Sequence, residues 1–560
     1  MSENTTPWVD GLTIGQALRQ TAQRFPDSEA LVLPQFETRL TYREFDRQVD
    51  GVARGLLALG LQRGDHIAIW ATNWPQWVLL QFASARIGVI LVCINPAYRS
   101  SELGYVLKQS DTKVLFLIDK FRTSDYYAMV HQAVPELAAS LGRKLSAEEF
   151  PKLQRVVAIA PQSSPGMLDW KTFLDAGNSI PATAVTARAA ELDPQDSINI
   201  QYTSGTTGFP KGATLTHRNL LLNAYYIGEC LHFTERDRLC IPVPFYHCFG
   251  CVLGTLTASL RGTAMVIPFE HFQPQATLDV MEQEHATAVY GVPTMFIAML
   301  DHQSFSGRNF SSLRTGIMSG SPCPIEIMRR VVSEMHVSEI TCGYGLTENS
   351  PIITLTSTSD ALELRVSTVG KPIPGVEVKL LDSITGDELG NDTNGELCVR
   401  GHGVMRGYYN MPEATAAAID HDGWLHTGDL ARRLPNGYFR ITGRIKDMVC
   451  RGGENIYPRE IEEFLYSHPA IQDVAVVGVP DPKYVEEVAA WIRLKPGAAL
   501  SEDELRQFCK GQLAHFKIPR YVRFVQEFPQ TVTGKIQKFK IREILIAELG
   551  LQQTSEREMA

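Results

Sequence analysis

The stretch YTSGTTGFPKGATLTHRNL, Tyr202–Leu220, follows an apolar, strand-like run and decides how the chain is read. Gly205, Gly208 and Gly212 let the backbone turn several N–H groups inward. Thr203, Ser204, Thr206 and Thr207 add neutral hydroxyl donors, and Lys211 supplies positive charge. The run therefore reads as a phosphate cradle. It is not a Walker A loop, because the residue five after Gly205 is Pro210 and the residue five after Gly208 is Ala213, where that motif needs glycine followed by lysine. A flexible Gly/Thr surface linker is the plain alternative, but linkers seldom end in an ordered turn such as Phe209-Pro210-Lys211-Gly212.

At 560 residues with 44% hydrophobic side chains, the chain can fill several packed interiors, and about three or four structural units are expected. The net charge of −9 provides no global positive field, which argues against nucleic acid as a partner and requires any phosphate site to be built from local cations. Ten scattered cysteines suit a reducing compartment, so a cytoplasmic location is expected. Cys248 and Cys251 have CxxC spacing, but no second pair completes a zinc site, and they read as core or pocket lining. The N-terminal MSENTTPWVDGLT has neither the pattern of a secretion signal nor that of a transit peptide. The apolar stretch Trp77–Ile94 is broken by Gln81 and Arg86 and reads as a buried helix running into a strand, so no transmembrane segment is expected.

From about Leu12 to Asp119, amphipathic patterns such as YREFDRQVDGVARGLLALGL alternate with short apolar runs such as HIAIWAT, GVILVCI and KVLFLID. This is the grammar of parallel α/β sheets covered by helices. It resumes after a Ser/Pro-rich break near Pro161–Pro165, with INIQYT, AMVIPF, AVYGV, LRTGIMSG and ITCGYG as candidate strands. Between about 369 and 440 the runs VEVKLLD, GELCVRG and GYFRITG predict a small β subdomain. The expected fold is α/β: a large N-terminal domain over 1–445 with packed, mostly parallel sheets, and a smaller mobile α+β C-terminal domain over 446–560.

Further segments carry chemistry. GYGLTEN, Gly343–Asn349, places Gly343, Tyr344 and Gly345 at a strand end, where a flat ligand can lie on bare backbone; Glu348 offers hard oxygen ligands to Mg²⁺. MSGSPCP, Met318–Pro324, is a second tight turn able to edge a base. WLHTGDLARRLPNGYFRITGRIKDMV sets Asp429 after a Thr-Gly turn and Arg444 after another, a carboxylate and a guanidinium suited to ribose hydroxyls and phosphate oxygens or to an ordinary surface pair. FPQTVTGKIQKFKIRE carries Lys535 on a glycine turn, from which a mobile charge can reach a phosphate, although most such lysines are merely solvated.

In their order and approximate spacing, TSGTTGFPKG, FYHCFG, GYGLTEN, LHTGD, GRIKD, RGGENIYP and TGKIQK resemble the adenylate-forming (AMP-binding) acyl-CoA synthetase superfamily over nearly the whole chain. PFYHCFG, YGLTENSP, RGGENIYP and TGKIQKFK are most similar to the fatty-acyl-CoA synthetases of the acyl-CoA synthetase family member 2 type. The resemblance implies an AMP-forming acid–thiol ligase: a carboxylate attacks the α-phosphate of ATP to give acyl-AMP and pyrophosphate, and CoA then displaces AMP. A medium-to-long-chain fatty acid is the implied substrate. An aryl or coumarate-type CoA ligase and, from another class, an inactive nucleotide-binding scaffold are the alternatives.

Carried over, Thr203–Lys211 would hold the β and γ phosphates, with Thr206 also catalytic and with Thr203 and Glu348 on Mg²⁺. Gly320, Ser321, Gly343, Tyr344, Gly345 and Thr347 would flank the adenine, Asp429 would bind the ribose hydroxyls, and Arg444 the ribose or phosphate. Lys535 would bridge substrate carboxylate and α-phosphate, and His247 would gate the acyl carboxylate. Tyr246, Cys248, Cys251, Met318 and Leu346, with His247 and Gly320, would line the acyl pocket. Lys446 would be the hinge about which the C-terminal domain rotates between half-reactions, and Gly452, Gly453 and Glu454 would shape the CoA tunnel. Homodimer formation and peripheral membrane contact are left open.

Overall fold

The computed structural model describes residues 6–140, 143–203, 210–321, 323–452, 454–530 and 536–551. Two compact units emerge: Met1–Glu377 with Val399–Leu425, and Val378–Cys398 with His426–Ala560.

Two sheets form the first unit. One runs in the order Gly407–Tyr408, Lys211–Thr216, Ser197–Thr203, Ile90–Cys93, His66–Trp70, Val114–Leu117, Arg155–Ala158 and Leu168–Asp169. It is parallel from Ser197–Thr203 onward and antiparallel at the end that carries the cradle. The other has five consecutive parallel pairings at its centre, from Glu29–Leu33 through Ala264–Val266, Arg238–Cys240, Ala288–Gly291 and Thr315–Ser319 to Glu339–Gly345. Antiparallel strands finish both of its edges. The strands expected from sequence are thus present, in a mostly parallel α/β arrangement.

Local chemistry explains the helices that cover them. Thr41 caps Tyr42–Ala58 through its hydroxyl to the Glu44 N–H while Glu44 reaches back to Thr41, satisfying two end donors at once. Pro75–Arg86 is apolar nearly all round and accordingly buried nearly all round. Its terminal Arg86, with only 3% of the side chain exposed, is held by Asp46 at 2.5 Å and Asp50 at 2.7 Å. Strand Ile90–Cys93 follows, as the broken apolar run predicts. Among the described residues, no helix is long and apolar enough to cross a membrane.

The small sheet has the order Val376–Leu381, Asn394–Gly401, Leu425–Arg433, Phe439–Arg444. Beyond it, Val485–Leu494 and Ile471–Asp481 pair antiparallel, and Tyr521–Phe524 joins Val485–Leu494 in parallel. Period-two alternation sends Val474, Val476, Val488, Ala490 and Ile492 to a core shared with helices Pro458–Tyr466 and Glu502–Cys509. The intervening Ala475, Val477, Ala489 and Trp491 face helix Lys538–Glu548 through Ile541 and Leu545. A sheet covered on both faces is the α+β unit expected of this end. Helix Glu502–Cys509 ends where Lys510 is already extended and Gly511 has φ +78°.

Candidate active site

Strands Ser197–Thr203 and Lys211–Thr216 make a hairpin with Thr203 opposite Lys211. Ser204, Gly205, Thr206, Thr207, Gly208 and Phe209, between them, lie outside the described residues, as do Gly453 and Lys535. The base of the hairpin is anchored: Tyr105 donates to the Pro210 carbonyl at 3.0 Å. Tyr202 bonds Gln109, which donates in turn to the Tyr409 carbonyl at 2.6 Å. Gly212 is required by packing, since a Cβ there would stand 2.8 Å from the Ile200 side chain and 3.3 Å from the Tyr202 ring.

Four side chains meet at the mouth of this hairpin. Glu348, in the single turn Thr347–Asn349, accepts at Oε1 from the Tyr408 hydroxyl at 2.8 Å and from the Thr203 hydroxyl at 3.3 Å. Lys211 Nζ lies 5.2 Å from the centre of the Tyr408 ring, a cation–π distance. Tyr408 is placed because Gly407–Tyr408 pairs with Lys211–Thr216, Tyr408 opposite Ala213. Burial, reinforced by the Glu348 charge, pushes its phenol above the usual range, so the hydroxyl remains a donor. Glu348 thus sits among neutral hydroxyl donors and enters no ion pair among the described residues. That donor set of carboxylate and hydroxyl oxygens fits Mg²⁺.

The proposed base-binding turns sit on adjacent parallel strands. Ser319 donates to the Gly343 carbonyl at 2.7 Å, and the register pairs Ser319 with Gly343. Gly320, exposed beside Ser321, has φ +93°, a conformation L side chains resist. Gly345 is bare for a packing reason: a Cβ would fall 1.9 Å from the Pro351 carbonyl oxygen. Tyr344 is half-buried between these glycines.

Of the acyl-site residues, Met318 is buried at the end of Thr315–Ser319, and Leu346 is half-buried ahead of Glu348. Tyr246 and His247 are half-buried, their rings 6.4 Å apart and perpendicular. His247 Nδ1 accepts the Phe249 N–H at 3.2 Å, which in the neutral ring leaves the proton on Nε2. Phe249–Leu256 is a π-helix, whose wider turn carries the buried Cys251. Cys251 Sγ accepts from Gln201 at 3.3 Å, and burial pushes its thiol well up. Cys248 Sγ lies 3.7 Å from Thr347 Oγ1. All ten cysteines are free, so the CxxC pair is not a disulfide.

The second unit contributes its own cluster. Asp429 and Arg444 are directly opposed on strands Leu425–Arg433 and Phe439–Arg444, with Arg444 Nε donating to Asp429 Oδ1 at 2.8 Å. Both were expected after turns; instead they lie within strands, and Gly428, at φ +68°, supplies a local kink. Thr427 donates to the Leu397 carbonyl at 2.7 Å and accepts the Asp429 N–H at 3.1 Å, which fixes the kink. Glu396 accepts from the Gly428 N–H at 3.1 Å. Asp429 is only 7% exposed, whereas the Arg444 side chain is 53% exposed, so the carboxylate is held and the guanidinium is accessible.

Lys446 lies in the short turn Ile445–Asp447 directly after Arg444. Gly452 has φ +60° and donates to the Tyr484 carbonyl at 2.8 Å. The exposed Glu454 pairs across a hairpin with Arg451. Arg451 makes a two-pronged bond to the buried Glu487 at 2.7 and 2.8 Å and stacks over Tyr484 at 4.1 Å, fixing the start of the loop.

Tyr408 and Glu396 were missed by sequence reasoning. Tyr408 sits in MRGYYN, a segment with no charge pattern to mark it, and Glu396 in GELCVRG reads only as a strand. Pairing of distant strands gives both their roles.

Residues 18–409 match the AMP-binding enzyme family, and residues 460–535 the AMP-binding enzyme C-terminal domain. The putative acyl-CoA synthetase YngI of Bacillus subtilis (strain 168) is 50% identical over 96% of this chain and 98% of its own. The mitochondrial medium-chain acyl-CoA ligase ACSF2 of Danio rerio is 42% identical over 98% and 92%. The solved structure of the anthranilate CoA ligase AuaEII, in complex with anthranoyl-AMP, superposes with a TM-score of 0.82 at 27% identity over 95% of this chain and 97% of that one. With its relatives acyl-CoA synthetases and ligases and its fold that of an adenylate-forming enzyme, the chain belongs to the AMP-binding enzyme family.

Proposed function

We propose that this protein is an AMP-forming acyl-CoA ligase that activates a medium-chain fatty acid with ATP and transfers the acyl group to CoA. The observation that carries the reading is the convergence of Thr203, Lys211, Glu348 and Tyr408 at one hairpin mouth. The medium-chain assignment is drawn from the name of the ACSF2 relative.

A carboxylate is a poor electrophile, and joining it to AMP creates a good leaving group. The protein must bring two anions together and stabilise charge as it develops, which positioning and fixed charge accomplish. In this reading, Thr203–Lys211 steadies the departing pyrophosphate. Tyr408 holds Glu348 in place and supports the Lys211 charge from its ring face. Mg²⁺ bound with the nucleotide would neutralise phosphate charge, and Thr203 and Glu348 are the residues that would hold it. Asp429 accepts from the ribose hydroxyls, Arg444 donates to ribose or phosphate, and Lys535 bridges carboxylate and α-phosphate. His247 Nε2–H is the donor offered to the acyl carboxylate. Lys446 is the hinge, and Gly452–Glu454 serves the CoA half-reaction. The free thiols suit a reducing, cytoplasmic setting.

A panel of octanoate, palmitate and cinnamate, read by acyl-CoA formation, tests the proposal. Octanoate should give the highest kcat/KM. Preference for cinnamate would replace the fatty-acid assignment with an aryl one, and no acyl-CoA from any acid would remove the ligase reading.

A further inference from the structure

We propose that Glu396, Cys398 and His426 form a binding site for one zinc-class divalent cation, separate from the oxygen-lined Mg²⁺ position. Their ligand atoms all lie within 4.8 Å of one another. Glu396 and Cys398 are two apart on strand Asn394–Gly401 and so share a face, and His426 approaches from strand Leu425–Arg433, the next strand in the sheet.

The spacings suit a tetrahedral ion. Cys398 Sγ stands 3.5 Å from His426 Nδ1, and His426 Nδ1 stands 2.9 Å from Glu396 Oε2. With Zn–S of about 2.3 Å and Zn–N of about 2.0 Å, a tetrahedral S–N edge is ~3.5 Å and an N–O edge ~3.3 Å. The first already matches; the second needs an opening of a few tenths of an ångström as a hydrogen bond gives way to coordination. Binding releases the Cys398 thiol proton to solvent, while the neutral His426 ring coordinates through Nδ1 with its proton on Nε2.

The surroundings also fit. Cys398 is fully buried, while the His426 side chain is 31% exposed and the Glu396 side chain 14%, which provides a route in and a place for a fourth ligand from water. Glu396 Oε1 is already oriented by the Gly428 N–H at 3.1 Å, so the carboxylate is held from behind while Oε2 faces the cluster. Thiolate, imidazole and a single carboxylate select zinc over magnesium. The ion would tie residues 396–398 to the kink at 426–428, immediately ahead of Asp429.

The test uses the full chain, without nucleotide, titrated with Co²⁺ as an optical probe of the zinc position. We expect a cobalt–thiolate charge-transfer band that saturates at one equivalent, is abolished by Zn²⁺, and is unaffected by excess Mg²⁺. Cys398→Ser should remove the band, and Cys450→Ser, at the exposed cysteine, should leave it intact. His426→Gln, at a partly exposed ring, should lower Co²⁺ affinity by about tenfold or more, and it decides the matter if Cys398→Ser fails to fold. Absence of the band in the native chain, its persistence in Cys398→Ser, or unchanged affinity in His426→Gln would overturn the proposal and leave Glu396 and His426 as a plain hydrogen-bonded pair supporting the kink.

Discussion

At the residue scale, Glu348 is where the account is most exposed. Its carboxylate receives two hydroxyl donors and no ion pair among the described residues, so its charge is available to a metal–nucleotide complex. Glu348→Gln should cut acid-dependent pyrophosphate release by roughly 10² to 10³, the cost of one preorganised charge. Tyr408→Phe keeps the ring under Lys211 and removes only the bond to Glu348, so its loss should be smaller, about tenfold. Steady-state kinetics on the two variants would show the order, and an equal effect would mean that the Tyr408 hydroxyl bond matters as much as the carboxylate charge it holds. Lys535→Ala should lower adenylation by roughly 10² to 10³ while spending preformed acyl-AMP on CoA at a near-normal rate. Lys211, Glu348, Asp429 and Arg444 drew notice in the sequence because glycines stand near each of them. Tyr408 was not legible there, since only the pairing of Gly407–Tyr408 with a strand nearly two hundred positions earlier places it.

At the scale of elements, packing explains features that a motif attributes to ligand. Gly345 belongs to the base-binding turn by resemblance, yet its first requirement is steric, with the Pro351 carbonyl oxygen 1.9 Å from where a Cβ would stand. Gly345→Ala should therefore lower stability as well as nucleotide affinity, by about 1 to 3 kcal/mol in denaturant unfolding. A change in affinity alone would show the backbone relaxing freely there. The strands were readable from their apolar runs, and buried helix Pro75–Arg86 from its length and its two polar interruptions. The kink at Gly428 was misread as a turn, because a positive φ inside a continuing strand leaves the same Thr-Gly signature as a loop. The π-helix Phe249–Leu256 has no sequence signature of its own.

Across the molecule, burial of histidines couples stability to pH. His217 is fully buried, accepts the Ile14 N–H at Nδ1, and is pushed down to about 3 by burial; His402 is pushed down to about 4, also chiefly by burial. Both are neutral in the folded chain, whereas unfolded histidines bind protons below the ordinary 6.5. The unfolded state therefore takes up more protons as pH falls, and stability declines from 6.5 down through these lowered values, at about 1.4 kcal/mol per unit of pKa difference. Melting temperatures from pH 8 to 4 should fall less steeply in His217→Gln than in the native chain, and parallel curves would show that His217 is not the source. The proposed function turns on whether ATP is cleaved by attack of a carboxylic acid. Pyrophosphate release from ATP measured without CoA tests it most directly. The account predicts a burst of one pyrophosphate per protein that requires octanoate and becomes steady turnover when CoA is added; release that ignores the acid, or none with either, would contradict it.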